Sequence, residues 1–202
     1  VSAGLEDSDA FSTYRNATGG FFDPYNPDKD AYRNVNLNAH VSHRFTDKLE
    51  IGAQFFHVGA KKQFDGSNCD TFFSSCTSGY DNRSRQTLDA YSAFVRVKPL
   101  SQWTSELKLG QSRDRLKSWR LDPSIPEEFV DRYATTQDQA VWENQLNFGP
   151  WGKVLAAYDW RNERVDSTQP FTADNRQTHA LVGGYQGGYG AHSVQISVRR
   201  DD

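Results

Sequence analysis

The sequence predicts an all-β chain: an antiparallel up-and-down meander of about nine strands, forming part of the wall of a larger transmembrane β-barrel. Three observations lead there. Apolar and polar residues alternate strictly in eight separate segments, the period of a strand with one apolar face. The connections alternate short and long. Aromatic residues gather near the short connections.

The segments can be taken in order. Val1-Ser2-Ala3-Gly4-Leu5 reads as the end of a strand. In 34–45, Val35, Leu37, Ala39, Val41 and Phe45 alternate with Asn34, Asn36, Asn38, His40, Ser42 and Arg44, and only His43 breaks the apolar row. A helix would scatter these polar residues over every face. Leu49, Ile51, Ala53 and Phe55 form the next row, followed by Tyr91, Ala93, Val95 and Val97 and then Trp103, Leu107 and Leu109. Ala140, Trp142, Leu146 and Phe148 continue the pattern, as do Val154, Ala156, Tyr158 and Trp160. Leu181, Gly183 and Tyr185 come next, and Val194, Ile196 and Val198 close the series. Segments of about ten residues suit a tilted bilayer crossing.

Short connections are expected at 46–48, 99–102, 149–152 and 187–191, where Gly, Pro and Asp supply turn chemistry. Long ones, rich in Asp, Asn, Ser, Thr and Pro, are expected at about 12–33, 63–85, 112–137 and 164–177. In a meander, alternate connections fall on opposite ends of the sheet. All short turns then share one end, as in outer-membrane barrels with periplasmic turns and extracellular loops. Phe45, Trp103, Phe148, Trp151, Tyr185 and Tyr189 lie near the short turns, where an interfacial girdle would sit.

Composition fits this reading. The chain of 202 residues is 36% hydrophobic and 24% charged, with a mean hydropathy of −0.78. A barrel wall needs apolar residues at only every second position. Its 13 Phe, 9 Tyr and 5 Trp exclude a disordered polymer. No apolar run reaches the length of a transmembrane helix. A net charge of −3 argues against a general nucleic-acid binder. The sequence has no Met and no secretory leader at its start. Nine strands is an odd number, where bacterial single-chain barrels are even-numbered, and nine strands also leave two unpaired edges that a bilayer does not accept. The expectation is therefore an internal piece of a longer chain, residues 1–202 forming a partial barrel domain.

Cys69 and Cys76 bracket a short polar segment and are expected to form a disulfide in an oxidising compartment. Two cysteines without further ligands argue against zinc. No nucleophile–base arrangement stands out, so no enzymatic activity is expected. His40 and His43 should lie on opposite strand faces, which excludes a metal pair. Lys61-Lys62 and Arg199-Arg200 read as ordinary charge doublets at strand ends.

Certain stretches carry a resemblance: Asn26-Pro27-Asp28-Lys29-Asp30-Ala31-Tyr32, Arg44-Phe45-Thr46-Asp47, Phe64-Asp65-Gly66, Tyr80-Asp81-Asn82-Arg83 and Ser197-Val198-Arg199-Arg200-Asp201-Asp202. The chain resembles TonB-dependent outer-membrane receptors, most closely the cobalamin (vitamin B12) transporters. The likeness is diffuse over nearly the whole chain and specific only in those stretches. It implies a plugged barrel of about 22 strands, of which this chain supplies early-to-middle strands without the plug or the last strands. It also implies ligand capture by extracellular loops and import energised through TonB, which contacts the plug. By motif position, the calcium-binding aspartates of the family fall on Asp28, Asp30, Asp65 and Asp81. A further family aspartate falls on Ser12, with Asp9 and Asp23 nearby. Calcium takes six to eight oxygen ligands, several from carboxylates, which such loops can supply.

The rival transport readings are an iron–siderophore receptor and a porin; a porin needs no assembled ligand site. A soluble β-sandwich binding or adhesion module is the rival from another class. It predicts that Val35, Leu37, Val41, Tyr91, Val95, Trp142 and Ile196 pack into an internal core. The barrel predicts that the same residues face lipid.

Overall fold

A computed structural model describes residues 1–8, 29–69, 76–120 and 129–202, with side chains described for these except at 65–69, 76–81, 129 and 189. The chain is all-β. Its strands are β1 (Ser2–Ser8), β2 (Tyr32–Thr46), β3 (Leu49–Cys69), β4 (Cys76–Leu100), β5 (Trp103–Arg120), β6 (Phe129–Asn147), β7 (Lys153–Ser167), β8 (Asn175–Tyr189) and β9 (His192–Asp201). They form one sheet in the order of the sequence, every neighbour antiparallel. The sheet is open, with β1 and β9 as its edges.

Period-2 alternation explains the strands, because each apolar row takes one face and each polar row the other. Register keeps the rows together across the sheet. Val41 faces Ala53, Ile51 faces Val95, Val95 faces Leu107, and Leu107 faces Trp142. Trp142 faces Tyr158, which faces Leu181. A slip of one residue in any pair would put an apolar row among charges.

Three of the short turns are tight. Residues 47–48 join β2 to β3, 101–102 join β4 to β5, and 190–191 join β8 to β9. A single 3₁₀ turn, Gly149–Trp151, joins β6 to β7. Gly152 ends it at φ 96°, and a side chain there would also run into the Gln186 backbone. Only glycine meets both demands.

The strand ends differ from the sequence expectation at several connections. The stretch 63–85, expected as a loop, is largely ladder: β3 runs to Cys69 and β4 begins at Cys76. The stretch 112–137 is likewise mostly strand, since β5 reaches Arg120 and β6 starts at Phe129. The connection expected at 187–191 shortens to 190–191 because β8 continues to Tyr189. The first two share a physical reason: backbone pairing continues past the point where one face stops being apolar, and alternation carries no signal once both faces are polar. At 187–189 the glycines that read as a turn stay in the ladder, opposite Val194 and Ser193. Pro99, expected in a turn, lies at the end of β4, where the register shifts between Val97 and Leu100. A proline, which cannot donate to a ladder, is tolerated at such an irregularity.

Candidate functional site

The sheet buries almost nothing apolar. Among the described residues Ala180 is the one buried hydrophobic side chain, at 1% exposure. The large apolar residues stand open on one face: Val41 is 67% exposed, Trp142 52%, Leu181 64% and Ile196 63%. Val35 and Tyr91 are also exposed, and Leu37 and Val95 are half-buried. None of the seven residues predicted as a lipid-facing or core row is therefore buried, and all seven share one face by register. No second layer lies over them among the described residues, where strands touch chiefly their sequence neighbours.

Two polar side chains within this apolar face are satisfied by indoles. Trp103 Nε1 donates to Asn144 Oδ1 at 3.1 Å, and Trp142 Nε1 donates to Ser105 Oγ at 3.0 Å. Tryptophan suits that position because it joins a large apolar body to one donor. The sequence pattern did not reveal these pairs, since 37 and 41 residues separate the partners.

Towards the long connections the apolar row ends at a belt of hydrogen-bonded groups. His57 Nδ1 lies 2.6 Å from Asp89 Oδ1, and Arg115 Nη2 donates to Asp89 Oδ2 at 2.6 Å. Tyr91 donates to Gln111 at 3.4 Å, and Gln111 donates to Asp138 at 2.6 Å. Arg164 Nη2 donates to Asp138 Oδ2 at 2.7 Å, and Tyr158 Oη lies 2.6 Å from His179 Nδ1. The belt runs from β3 to β8 on the same face as the apolar row.

The opposite face is polar and more covered. Near the short turns Arg96 sits between two carboxylates, donating to Glu106 at 2.8 Å and to Glu50 at 2.9 Å. Farther along, Asp159 accepts from Gln139 at 2.9 Å and from Arg199 at 3.2 Å. Arg199 also pairs with Asp201, so one member of the terminal doublet is engaged on this face. His40 stacks on Phe94 on the polar face, while His43 meets Phe45 edge-on on the other. The two histidines are thus on opposite faces, as their spacing predicts. Gly52 makes room for the Phe94 ring, into which any side chain at 52 would run.

The predicted calcium ligands can be placed in part. Asp28 lies outside the described residues, as do Asp9, Ser12 and Asp23. Asp30 is half-buried just before β2, next to Ala31, whose carbonyl accepts from the Gln63 amide at 2.9 Å. Asp65 and Asp81 are direct register partners on β3 and β4. The backbone therefore brings positions 30, 65 and 81 to one end of three adjacent strands. Cys69 and Cys76 are register partners at the last step of the same ladder. Among the described residues no cluster of three or more His, Cys, Asp or Glu side chains forms a metal site.

Beyond the belt, at the end of the sheet with the long connections, lies an ion pair that also bears on the site. Arg120 Nη2 donates to Asp131 Oδ2 at 2.8 Å, and Gln169 donates to Asp131 Oδ1 at 3.2 Å. The Arg120 hydrogen bond holds the Asp131 carboxyl below its ordinary range, against the opposing effect of burial.

Together these features define the class: an all-β protein with one open antiparallel sheet, a polar networked face and an exposed apolar face. No family model matches the chain, and no curated protein matches it.

Proposed function

We propose that this chain forms part of the wall of a bacterial outer-membrane β-barrel, in a TonB-dependent receptor that imports a scarce ligand of the corrinoid class, such as cobalamin. The observation that carries the reading is the exposed apolar face. A single row of large apolar side chains, continuous over all the strands and uncovered, is costly in water and stable against lipid. On β2 the row runs from Val35 to Phe45. At about 3.3 Å per residue and a tilt of about 40°, it would span about 25 Å, the height of an outer-membrane apolar band. The opposite face, with its Glu50–Arg96–Glu106 and Gln139–Asp159–Arg199 networks, suits a wet lumen. The long connections would lie outside the cell and the short turns in the periplasm. Open edges at β1 and β9 would be closed by further strands.

The ligand reading rests on the resemblance to cobalamin transporters and is supported by the meeting of positions 30, 65 and 81 at the extracellular end. Asp28, Asp30, Asp65 and Asp81 would hold calcium and order the loops. The Cys69–Cys76 pairing would staple the β3–β4 connection. Directly opposed residues of antiparallel strands have Cα atoms about 4.5–5.5 Å apart, within the range of a disulfide. Import would need the plug and its contact with TonB.

The test is equilibrium binding of cyanocobalamin to the protein in neutral detergent, with calcium and with a chelator. Calcium-dependent binding that is lost in Asp65→Asn and Asp81→Asn supports the reading. Binding of a ferric siderophore instead would move it to the iron receptors. Passage of small solutes with no saturable ligand would move it to the porins. A water-soluble monomer that does not enter detergent micelles or vesicles would overturn the membrane assignment itself.

A further inference from the structure

On the apolar-row face, beyond the hydrogen-bonded belt, the register aligns cations across five consecutive strands. Arg33 on β2 faces Lys61 on β3, and Lys61 faces Arg85 on β4. Arg85 faces Lys117 on β5, and Lys117 faces Arg132 on β6. Like charges directly opposite one another destabilise a sheet. On the polar face Arg96 separates Glu50 from Glu106, whereas here five cations follow in series. Among the described residues none of the five has an ion pair, and four are exposed. Asp7 is the register partner of Arg33, and Asp166 lines the same cleft as Arg132.

The surface around the row is shaped. Arg33, Lys61, Arg83, Arg85 and Trp119 line a cleft of about 530 Å³ together with Asp7. Arg85, Arg115, Lys117, Arg132 and Tyr133 line an adjoining one of about 560 Å³. Lys117 Nζ lies 4.4 Å from the Trp119 ring centroid, and Arg83 lies 5.1 Å from it. Four strand-to-strand steps of about 4.8 Å make the row about 19 Å long, too long for one phosphate ion. It begins next to the apolar row on β2, where Arg33 immediately precedes Val35 on the same face.

We propose that this cation row is a docking site for anionic lipid whose head group carries two or more phosphates, with its acyl chains on the apolar row below. Charge complementarity explains why the repulsive row is tolerated, since phosphates between the side chains convert repulsion into charge-assisted hydrogen bonds. Continuity with the apolar face on β2, the strand the belt does not reach, selects a lipid over a soluble anion. The inference rests on the membrane reading above.

The experiment compares the protein with Lys61→Gln/Arg85→Gln/Lys117→Gln in neutral detergent and in phosphatidylcholine vesicles. The probes are cardiolipin, phosphatidylcholine and inorganic polyphosphate. The expected result is selective retention of cardiolipin by the unsubstituted protein, weakened about tenfold or more in the triple variant. Added salt should weaken it too. The denaturation midpoint of the variant should be unchanged or raised, because a repulsive row has been relieved. Equal retention of phosphatidylcholine, or cardiolipin retention unaltered by the variant, would overturn the proposal while insertion into vesicles leaves the membrane reading intact. Polyphosphate bound as tightly as cardiolipin would overturn it in favour of a soluble-polyanion site. Failure of the unsubstituted protein to enter vesicles would defeat both readings.

Discussion

Two rows of charged residues cross this sheet on opposite faces and are built on opposite rules. Near the short turns, Glu50, Arg96 and Glu106 alternate in sign over β3, β4 and β5, with each neighbour a direct register partner. Towards the long connections, Arg33, Lys61, Arg85, Lys117 and Arg132 repeat one sign over five strands. In the first row both carboxylates accept from Arg96, and Glu106 also faces Glu143 on β6. The second meets a carboxylate in register only at its β2 end, where Arg33 faces Asp7.

The largest expected effect tests that division at adjacent positions. Trp142 lies on the apolar face, while Glu143 lies on the polar face opposite Glu106. Trp142→Lys should cost about 2–4 kcal/mol in a lipid bilayer, where a cation near the middle of the band meets hydrocarbon. Glu143→Lys should instead stabilise by about 0.2–1 kcal/mol, because it replaces a like-charge pair with an opposite one. Urea unfolding from vesicles measures both, and equal effects at the two positions would erase the distinction between the faces.

The alternating row should be the next most sensitive. Arg96→Gln leaves Glu50 and Glu106 without their shared guanidinium, and Arg96 is itself 38% exposed. A loss of about 1–2 kcal/mol is expected after allowing for solvent screening. A double variant, Arg96→Gln with Glu106→Gln, should recover part of it. The five-cation row should respond in the other sense. Single Gln replacements at Lys61 or Arg85 should shift stability by a few tenths of a kcal/mol at most, towards greater stability in lipid-free detergent.

The smallest effect concerns pH. Asp131 is held charged by Arg120, so its carboxyl titrates lower in the folded chain than in the unfolded one. The stability it contributes is present above the unfolded carboxylate range and is lost as pH falls through the folded value. Asp131→Asn should flatten the acid limb of a stability–pH curve and leave it unchanged near neutrality in slope. An unaltered acid limb would remove the Arg120–Asp131 pair from the account.

Much of the architecture was legible in the residues. Alternation such as Val35-Asn36-Leu37-Asn38 assigned strands and faces, and Gly149-Pro150 and Thr46-Asp47-Lys48 marked turns. The upper halves of β3 to β6 were not legible. Between 76 and 87, for example, both faces carry polar residues, so a strand and a polar loop have the same pattern. The candidate site divided in the same way. The apolar row and the expectation that Cys69 meets Cys76 were readable from single segments, whereas the direct opposition of Asp65 and Asp81 depends on where β3 meets β4. Lys61 reads in sequence as half of a doublet with Lys62. In the sheet the two take opposite faces, and Lys61 joins Arg33 and Arg85 instead.

The sequence by itself therefore determined the secondary structure class, the two-faced character of each strand and the up-and-down order, because those follow from a local period of two and from short turns. Only the tertiary structure decided which residues stand opposite one another. Register is fixed by the sum of turn geometry and bulges along the ladder, including the shifts at Arg44/Thr46, Gly66/Ser67 and Val97/Leu100. A charge on one strand cannot announce its partner on the next, and the five-cation row exists only once those shifts have been made.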